Sequence, residues 1–229
     1  MKKILIIILF FTGFLLSGCS DNGVEPRPAI SRYTLYMAPD GADSGRGDIL
    51  SPLATLEGVQ EKIKDRNTKS DIVIRIYGNK GPYINQTVTW NFYQSDIRIT
   101  FESYPDDTYA SFIASEEDPP EDPFFELRAD TGEPTNLVFR RLKISNYVSR
   151  AIYFHGFRES EEYGWNGNNT IENCTISGIG NIRMPERAFV YGAITFVNSR
   201  NNIIRNCVIE GCANCNAENP FGLENGIGV

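Results

Sequence analysis

Apolar residues along most of this chain come in short runs rather than at helical spacing. The runs at 72–77, 87–90, 97–102 and 111–114 are rich in Ile, Val, Thr and aromatic residues. Turn residues separate them, as in Gly78-Asn79-Lys80-Gly81-Pro82 and Tyr104-Pro105-Asp106-Asp107. Short β-branched runs bounded by such turns read as strands. One stretch breaks the pattern. Leu53, Leu56, Val59 and Ile63 recur at helical spacing behind Pro52, which predicts a helix over 52–66. No later segment repeats that period, so the chain is predicted to be all-β with one early helix.

A longer period overlies the short one. The line NNTIENCTISGIG starts at Asn168, NNIIRNCVIEGCA starts at Asn201, and LVFRRLKISN starts at Leu137. Alignment puts Phe139, Ile171 and Ile204 in one column, Arg141, Asn173 and Asn206 in a second, Leu142, Cys174 and Cys207 in a third, and Ile144, Ile176 and Ile209 in a fourth. The spacings are 32 and 33 residues. A second apolar run follows each copy, at 151–154, 193–196 and 226–229. Strands too short to bury a face alone, repeated at a fixed period, predict a solenoid of stacked turns. The connection at 147–150 is tight, while those at 178–191 and 211–225 are long and are expected to protrude side by side. The insertion 155–167 is expected at another corner.

The columns suggest chemistry. Asn173 and Asn206 are expected to form an inward amide ladder that satisfies buried polar groups. Cys174 and Cys207 stack in the same way. Parallel Cβ vectors disfavour a bridge and favour free buried thiols. Cys212-Ala213-Asn214-Cys215 reads as a loop disulfide between Cys212 and Cys215, with a redox pair or half of a zinc site as alternatives. Zinc lacks a second Cys/His pair, because His155 is the sole histidine. Arg140, Glu172 and Arg205 align as an outward plus, minus, plus column, either a surface ion-pair ladder or part of a site. His155 follows a strand and is either structural or an acid/base. The two long loops carry Arg183, Arg187, Tyr191, Phe221 and Glu224. Aromatic faces stack on sugars and arginine forks bind carboxylates, so these five are candidate substrate-binding residues. The alternative is that the loops pack on themselves.

The formal net charge of −7 argues against nucleic acid, which needs a basic footprint. A polyanionic carbohydrate is still compatible, because a basic groove fits on an acidic protein. At the start of the chain, Lys2 and Lys3 precede an apolar run over 4–16, too short for a comfortable membrane span. Leu16-Ser17-Gly18-Cys19 resembles the bacterial lipobox, which implies a lipoprotein signal peptide over 1–18 and diacylation of Cys19. Two acyl chains anchor a protein stably. The polar segment 19–32 reads as a tether, and 33–229 as one domain. The expected location is the cell envelope, lipid-anchored at the outer membrane or cell surface, where disulfides are permitted.

The line YMAPDGADSGRGDILSPLATLEGVQEKI, with Pro52, Thr55 and Leu56, resembles the opening of secreted proteins of the pectin-lyase-like superfamily. IRITFESYPDDTYASFIAS is similar to the turn of chain that follows in them. The resemblance implies a right-handed parallel β-helix with an N-terminal capping helix. The fold hosts lyases, hydrolases, epimerases and adhesins. In its polysaccharide lyases acidic residues hold Ca2+ and a Lys or Arg takes the ring proton beside a carboxylate. That implies Lys143 and Arg205 as catalytic candidates, with Glu172 and Glu210 as acidic partners. The resemblance also implies Ca2+, but no run of carboxylates here makes a calcium cage. The Asp pairs and the GHG line of the superfamily's polygalacturonases are absent, which counts against a hydrolase of that kind. The chain stops at ENGIGV, within an expected strand, so further turns are expected beyond it. The expectation is an exported protein that acts on extracellular polysaccharide, as a uronate lyase or as a non-catalytic glycan-binding or adhesion module.

Overall fold

The computed structural model describes residues 32–66, 69–129, 132–156, 158–159, 162–163, 165–181, 192–213 and 227–228. The chain opens with β1 (Arg32–Met37) and α1 (Leu56–Lys64). It then runs through β2 (Asp71–Tyr77), β3 (Tyr83–Ile84) and β4 (Val88–Trp90). The next three strands are β5 (Ile99–Tyr104), β6 (Ala110–Ile113) and β7 (Phe125–Ala129), followed by β8 (Leu137–Arg140), β9 (Leu142–Ser145) and β10 (Ile152–Gly156). A small antiparallel pair, β11 (Arg158–Glu159) and β12 (Glu162–Tyr163), precedes β13 (Asn166–Gly167), β14 (Thr170–Glu172), β15 (Thr175–Ser177) and β16 (Ile194–Val197). The described chain closes with β17 (Ser199–Arg200), β18 (Ile203–Arg205), β19 (Val208–Glu210) and β20 (Ile227–Gly228).

Three parallel sheets collect nearly all of these strands. The first has the order β1-β2-β5-β8-β14-β18, the second β3-β6-β9-β15-β19, and the third β4-β7-β10-β16-β20. From β2 onward the described chain visits first, second and third sheet in that order five times. The predicted columns are the observed register: Phe139 pairs with Ile171 and Ile171 with Ile204, while Ile152, Ile194 and Ile227 follow one another in the third sheet. The structure is therefore all-β, with mostly parallel strands and one helix among the described residues.

Register also builds the core. Phe101 and Phe139 are register partners, and their rings stack at 5.0 Å and 7°. Phe154 and Phe196 repeat the arrangement at 5.1 Å and 6°. Trp90 and Phe125 fill the space between the sheets, with Trp90 edge-on to Phe101 at 4.9 Å. The rings at 90, 101, 125, 139 and 154 are all fully buried, so each strand contributes inward residues that pack on the same position one turn away.

The helix starts four residues later than its pattern predicted. Thr55 is extended and its side chain accepts from the Gly58 amide, so it acts as N-cap, and Pro52 lies in the preceding loop. Asp43 holds Thr55 from outside through its hydroxyl at 2.7 Å. The helix packs on β1 and β4 through buried Leu56, Val59, Gln60 and Ile63. Within the three main sheets two strands, β3 and β7, were not marked by the pattern. β3 is only two residues long, and β7 reads FELRA, with no Val or Ile; its register with β4 and β10 is what buries Phe125 and Leu127.

The recurring asparagines have a different role from the predicted one. Positive φ recurs at three bends per turn: at Asn136, Asn168 and Asn201 (52, 59 and 56°), at Arg141, Asn173 and Asn206 (55, 54 and 53°), and at Asn146, Gly178 and Gly211 (66, 66 and 59°). Asn and Gly are the residues that tolerate this left-handed conformation. Asn173 is half-buried and Asn206 exposed, so they do not form an inward ladder. The buried amide network lies one strand-start earlier. Asn169 Nδ2 donates to Asn202 Oδ1 at 3.0 Å, and Asn169 Oδ1 accepts from Thr135 Oγ1 at 2.8 Å and from the Leu137 amide at 3.1 Å.

Two substitutions separate these roles. Asn173→Val is expected to lower unfolding free energy by about 1–2 kcal/mol through left-handed strain, and Asn173→Gly to stay within about 0.5 kcal/mol of the parent. Chemical denaturation checks both, and an amide ladder at this position would require both variants to fall together.

Candidate functional site: a groove across the first sheet

The outer face of the first sheet carries a groove of about 510 Å³ that crosses all six strands. Its floor is Val73, Thr100, Val138, Thr170 and Ile203, which alternate along each strand with inward core residues. One rim holds Arg32, Asp71 and Arg98, then Asn136, Asn168 and Asn201 at their left-handed bends. The other rim holds Glu102, Arg140, Glu172 and Arg205. The lining has four arginines against three carboxylates, in a chain whose formal net charge is −7.

The second rim is an ion-pair ladder set by strand register. Arg75 pairs with Glu102 at 3.7 Å, and Glu102 Oε2 accepts from Arg140 Nη1 at 3.0 Å. Arg140 Nε donates to Glu172 Oε1 at 2.5 Å, and Arg205 Nε to Glu172 Oε2 at 2.7 Å, with Arg205 Nη2 on the same oxygen. The carboxylates lie beneath the guanidiniums: the Glu172 side chain is 6% exposed and that of Arg205 is 59% exposed. Burial works to raise the Glu172 carboxyl, but the hydrogen bonds and charges of Arg140 and Arg205 outweigh it and hold it below the usual carboxylate range. Burial likewise opposes the Arg140 charge, and Glu172 and Glu102 more than restore it. The arginines thus present positive charge outward while the glutamates fix their positions. Arg32 and Arg98 make no ion pair among the described residues, and Asp71 Oδ1 accepts from the Arg98 amide at 3.0 Å.

This geometry sorts the residues named from sequence. Glu172 and Arg205 meet directly, as their column predicted. Lys143 does not join them. It lies on β9 in the second sheet, between Ser111 and Thr175 in register, with Nζ 5.3 Å from the centroid of the Tyr109 ring. The left-handed bend at Arg141 turns the chain between β8 and β9, so Arg140 and Lys143 belong to different faces. Glu210 pairs with Ser177 in that second sheet. Glu102 and Glu172 do not fit a calcium site, since each already accepts from arginine. Among the described residues no group of three or more His, Cys, Asp or Glu is placed to hold a metal ion.

His155 lies on the third sheet. Its ring stacks on Tyr153 at 5.1 Å and 11°. Burial holds the imidazole below its ordinary value, against the pull of Glu126 and with the help of Arg128 and Arg150. Cys174 and Cys207 are free thiols, the first buried and the second half-buried, and Cys212 is a free thiol too. Hydrogen bonding to Cys207, together with burial, pushes the Cys174 thiol up. Cys19, Arg183, Arg187, Tyr191, Cys215, Phe221 and Glu224 lie outside the described residues. No described helix is long and apolar enough to cross a membrane.

No protein-family model matches the chain, and no curated protein matches it. Among solved structures it is similar to a rhamnogalacturonan lyase, at 18% identity and a TM-score of 0.36 over 77% of this chain. The chain spans 57% of the length of that protein.

The depressed Glu172 carboxyl makes a signed prediction. Its contribution to stability is complete above the unfolded carboxyl value and disappears as pH falls through the lower folded value. Glu172→Gln is expected to cost about 1–3 kcal/mol at neutral pH, with the difference from the parent vanishing in strong acid. Denaturation curves over an acid pH series measure it.

Proposed function

We propose that this chain is a right-handed parallel β-helix whose first-sheet groove binds an extended acidic polysaccharide. Three sheets visited in a constant order support the solenoid reading, and the right hand follows the general rule for parallel crossovers. The observation that carries the binding reading is the arginine-rich groove running across six strands of an acidic chain. With strands about 4.8 Å apart, the groove is about 24 Å long, enough for several sugar residues in a row. Arginine forks match sugar carboxylates in shape and charge. The Glu102 and Glu172 carboxylates, already neutralised by arginine, do not repel such a chain. The geometry favours binding over catalysis, because Lys143 lies on another sheet and Arg205 is engaged by Glu172, which leaves neither candidate free beside the groove to take the ring proton. We further propose that the protein is exported and held at the cell envelope by lipid on Cys19, which would bring the groove to extracellular glycans.

Calorimetric titration of the folded domain with oligogalacturonate, oligomannuronate, chondroitin and neutral oligosaccharides tests the reading. Binding is expected for an acidic glycan and is expected to weaken with salt. Arg205→Ala should reduce it about tenfold, the order of one charge-assisted contact, and Lys143→Ala should leave it unchanged. Ultraviolet absorbance of unsaturated uronides, followed with calcium and with chelator, reports β-elimination in the same samples. A rise would establish a lyase in place of a binding module. Failure of every acidic glycan to bind would sink the proposal.

A further inference from the structure

Beside the groove, the same face of the first sheet carries three tyrosines. Tyr36, Tyr77 and Tyr104 lie at the C-terminal ends of β1, β2 and β5, each half-buried and directed away from inward neighbours such as Leu35, Met37 and Ile76. Tyr36 and Tyr77 are 6.3 Å apart, and Tyr104 stands edge-on to both, at 5.6 and 5.3 Å. Lys80 Nζ sits 4.7 Å from the Tyr77 ring centre and the Arg75 guanidinium 5.1 Å from that of Tyr104. Both cations are engaged, Lys80 by Asp40 at 3.2 Å and Arg75 by Glu102 at 3.7 Å. None of the three phenol hydroxyls has a hydrogen-bond partner among the described residues.

These rings lie on the outer face, apart from the aromatic rings of the core, and the register of β1, β2 and β5 brings them together. Arg75 joins it to the groove, since the residue that pairs with Glu102 on the groove rim also lies against Tyr104. A patch of ring surface with unengaged hydroxyls and no spare charge matches a sugar residue, which has an apolar C–H face and peripheral hydroxyls. It does not match a carboxylate. We infer that Tyr36, Tyr77 and Tyr104 form an aromatic subsite that stacks a sugar residue of the glycan bound in the groove. This rests on the polysaccharide reading above and adds that the ligand is gripped in two ways, through charge along the arginines and through its uncharged ring surface at the tyrosines.

The two grips differ in salt dependence, and that difference supplies the test. The probe is a length series of the acidic oligosaccharide that binds the full chain best, titrated by calorimetry at low and high salt. Tyr77→Ala and Tyr104→Ala are expected to lose about tenfold in affinity for oligomers long enough to reach both Arg205 and the tyrosines. The loss should be equal at both salt concentrations, whereas that from Arg205→Ala should shrink at high salt. Tyr77→Phe keeps the ring and should bind within about threefold of the parent, so the inference remains falsifiable if an alanine variant misfolds by circular dichroism. Folded alanine variants that bind long oligomers like the parent would overturn the inference, as would a phenylalanine variant as weak as the alanine one. Binding that depends on Arg205 and not on the tyrosines would overturn this inference alone. No binding by the parent would overturn the polysaccharide reading as well.

Discussion

Parallel, in-register stacking of successive strands is the constraint on which the rest of this structure depends. A short strand such as Thr170–Glu172 buries little by itself. Placed between Val138–Arg140 and Ile203–Arg205, its Ile171 is covered by Phe139 on one side and Ile204 on the other. The aromatic pairs follow from the same rule, since ring over ring at 5.0 and 5.1 Å is what register delivers when Phe follows Phe one turn later. Folding must therefore form contacts between residues 27 to 42 positions apart, which makes the register of each turn a condition for burying the next.

The rule acts on the outer face as strongly as on the core. Side chains in one column are neighbours whether or not they attract, so an outward column of like charge would be destabilising. Here the column runs Arg75, Glu102, Arg140, Glu172, Arg205, and opposite charges meet at every step. The buried carboxylates hold the guanidiniums upright along one side of a groove. A surface ladder that contributes little to stability when exposed thereby becomes a preorganised row of donors, and the scaffold and the candidate site share the same contacts.

Half of that ladder was legible in the chain. Arg140, Glu172 and Arg205 stand at matching places in three recognisable copies, so their meeting followed from alignment. Arg75 and Glu102 precede the copies, on strands without the marker asparagines, and only pairing of β2, β5 and β8 brings them into the column. Lys143 was grouped with Arg205 through the resemblance to polysaccharide lyases, but the left-handed residue between β8 and β9 turns it onto another sheet. The asparagine repeat was visible and its role was not, because a pattern of letters does not distinguish a buried amide from a bend with positive φ.

By itself the sequence determined that this is a β protein with one early helix and a period of about one turn every 32 or 33 residues. The strands and the helix are local features, since β-branched runs, turn residues and apolar positions at helical spacing act on the chain within a few residues of themselves, and the period was read by aligning the copies. Only the tertiary structure decided that Lys143 faces away from the ladder, that Arg75 and Glu102 extend it, and that three scattered tyrosines form one cluster beside the groove. Those outcomes depend on register between turns whose sequences do not repeat, and on bends that reorient everything after them. Neither can be summed from local preferences.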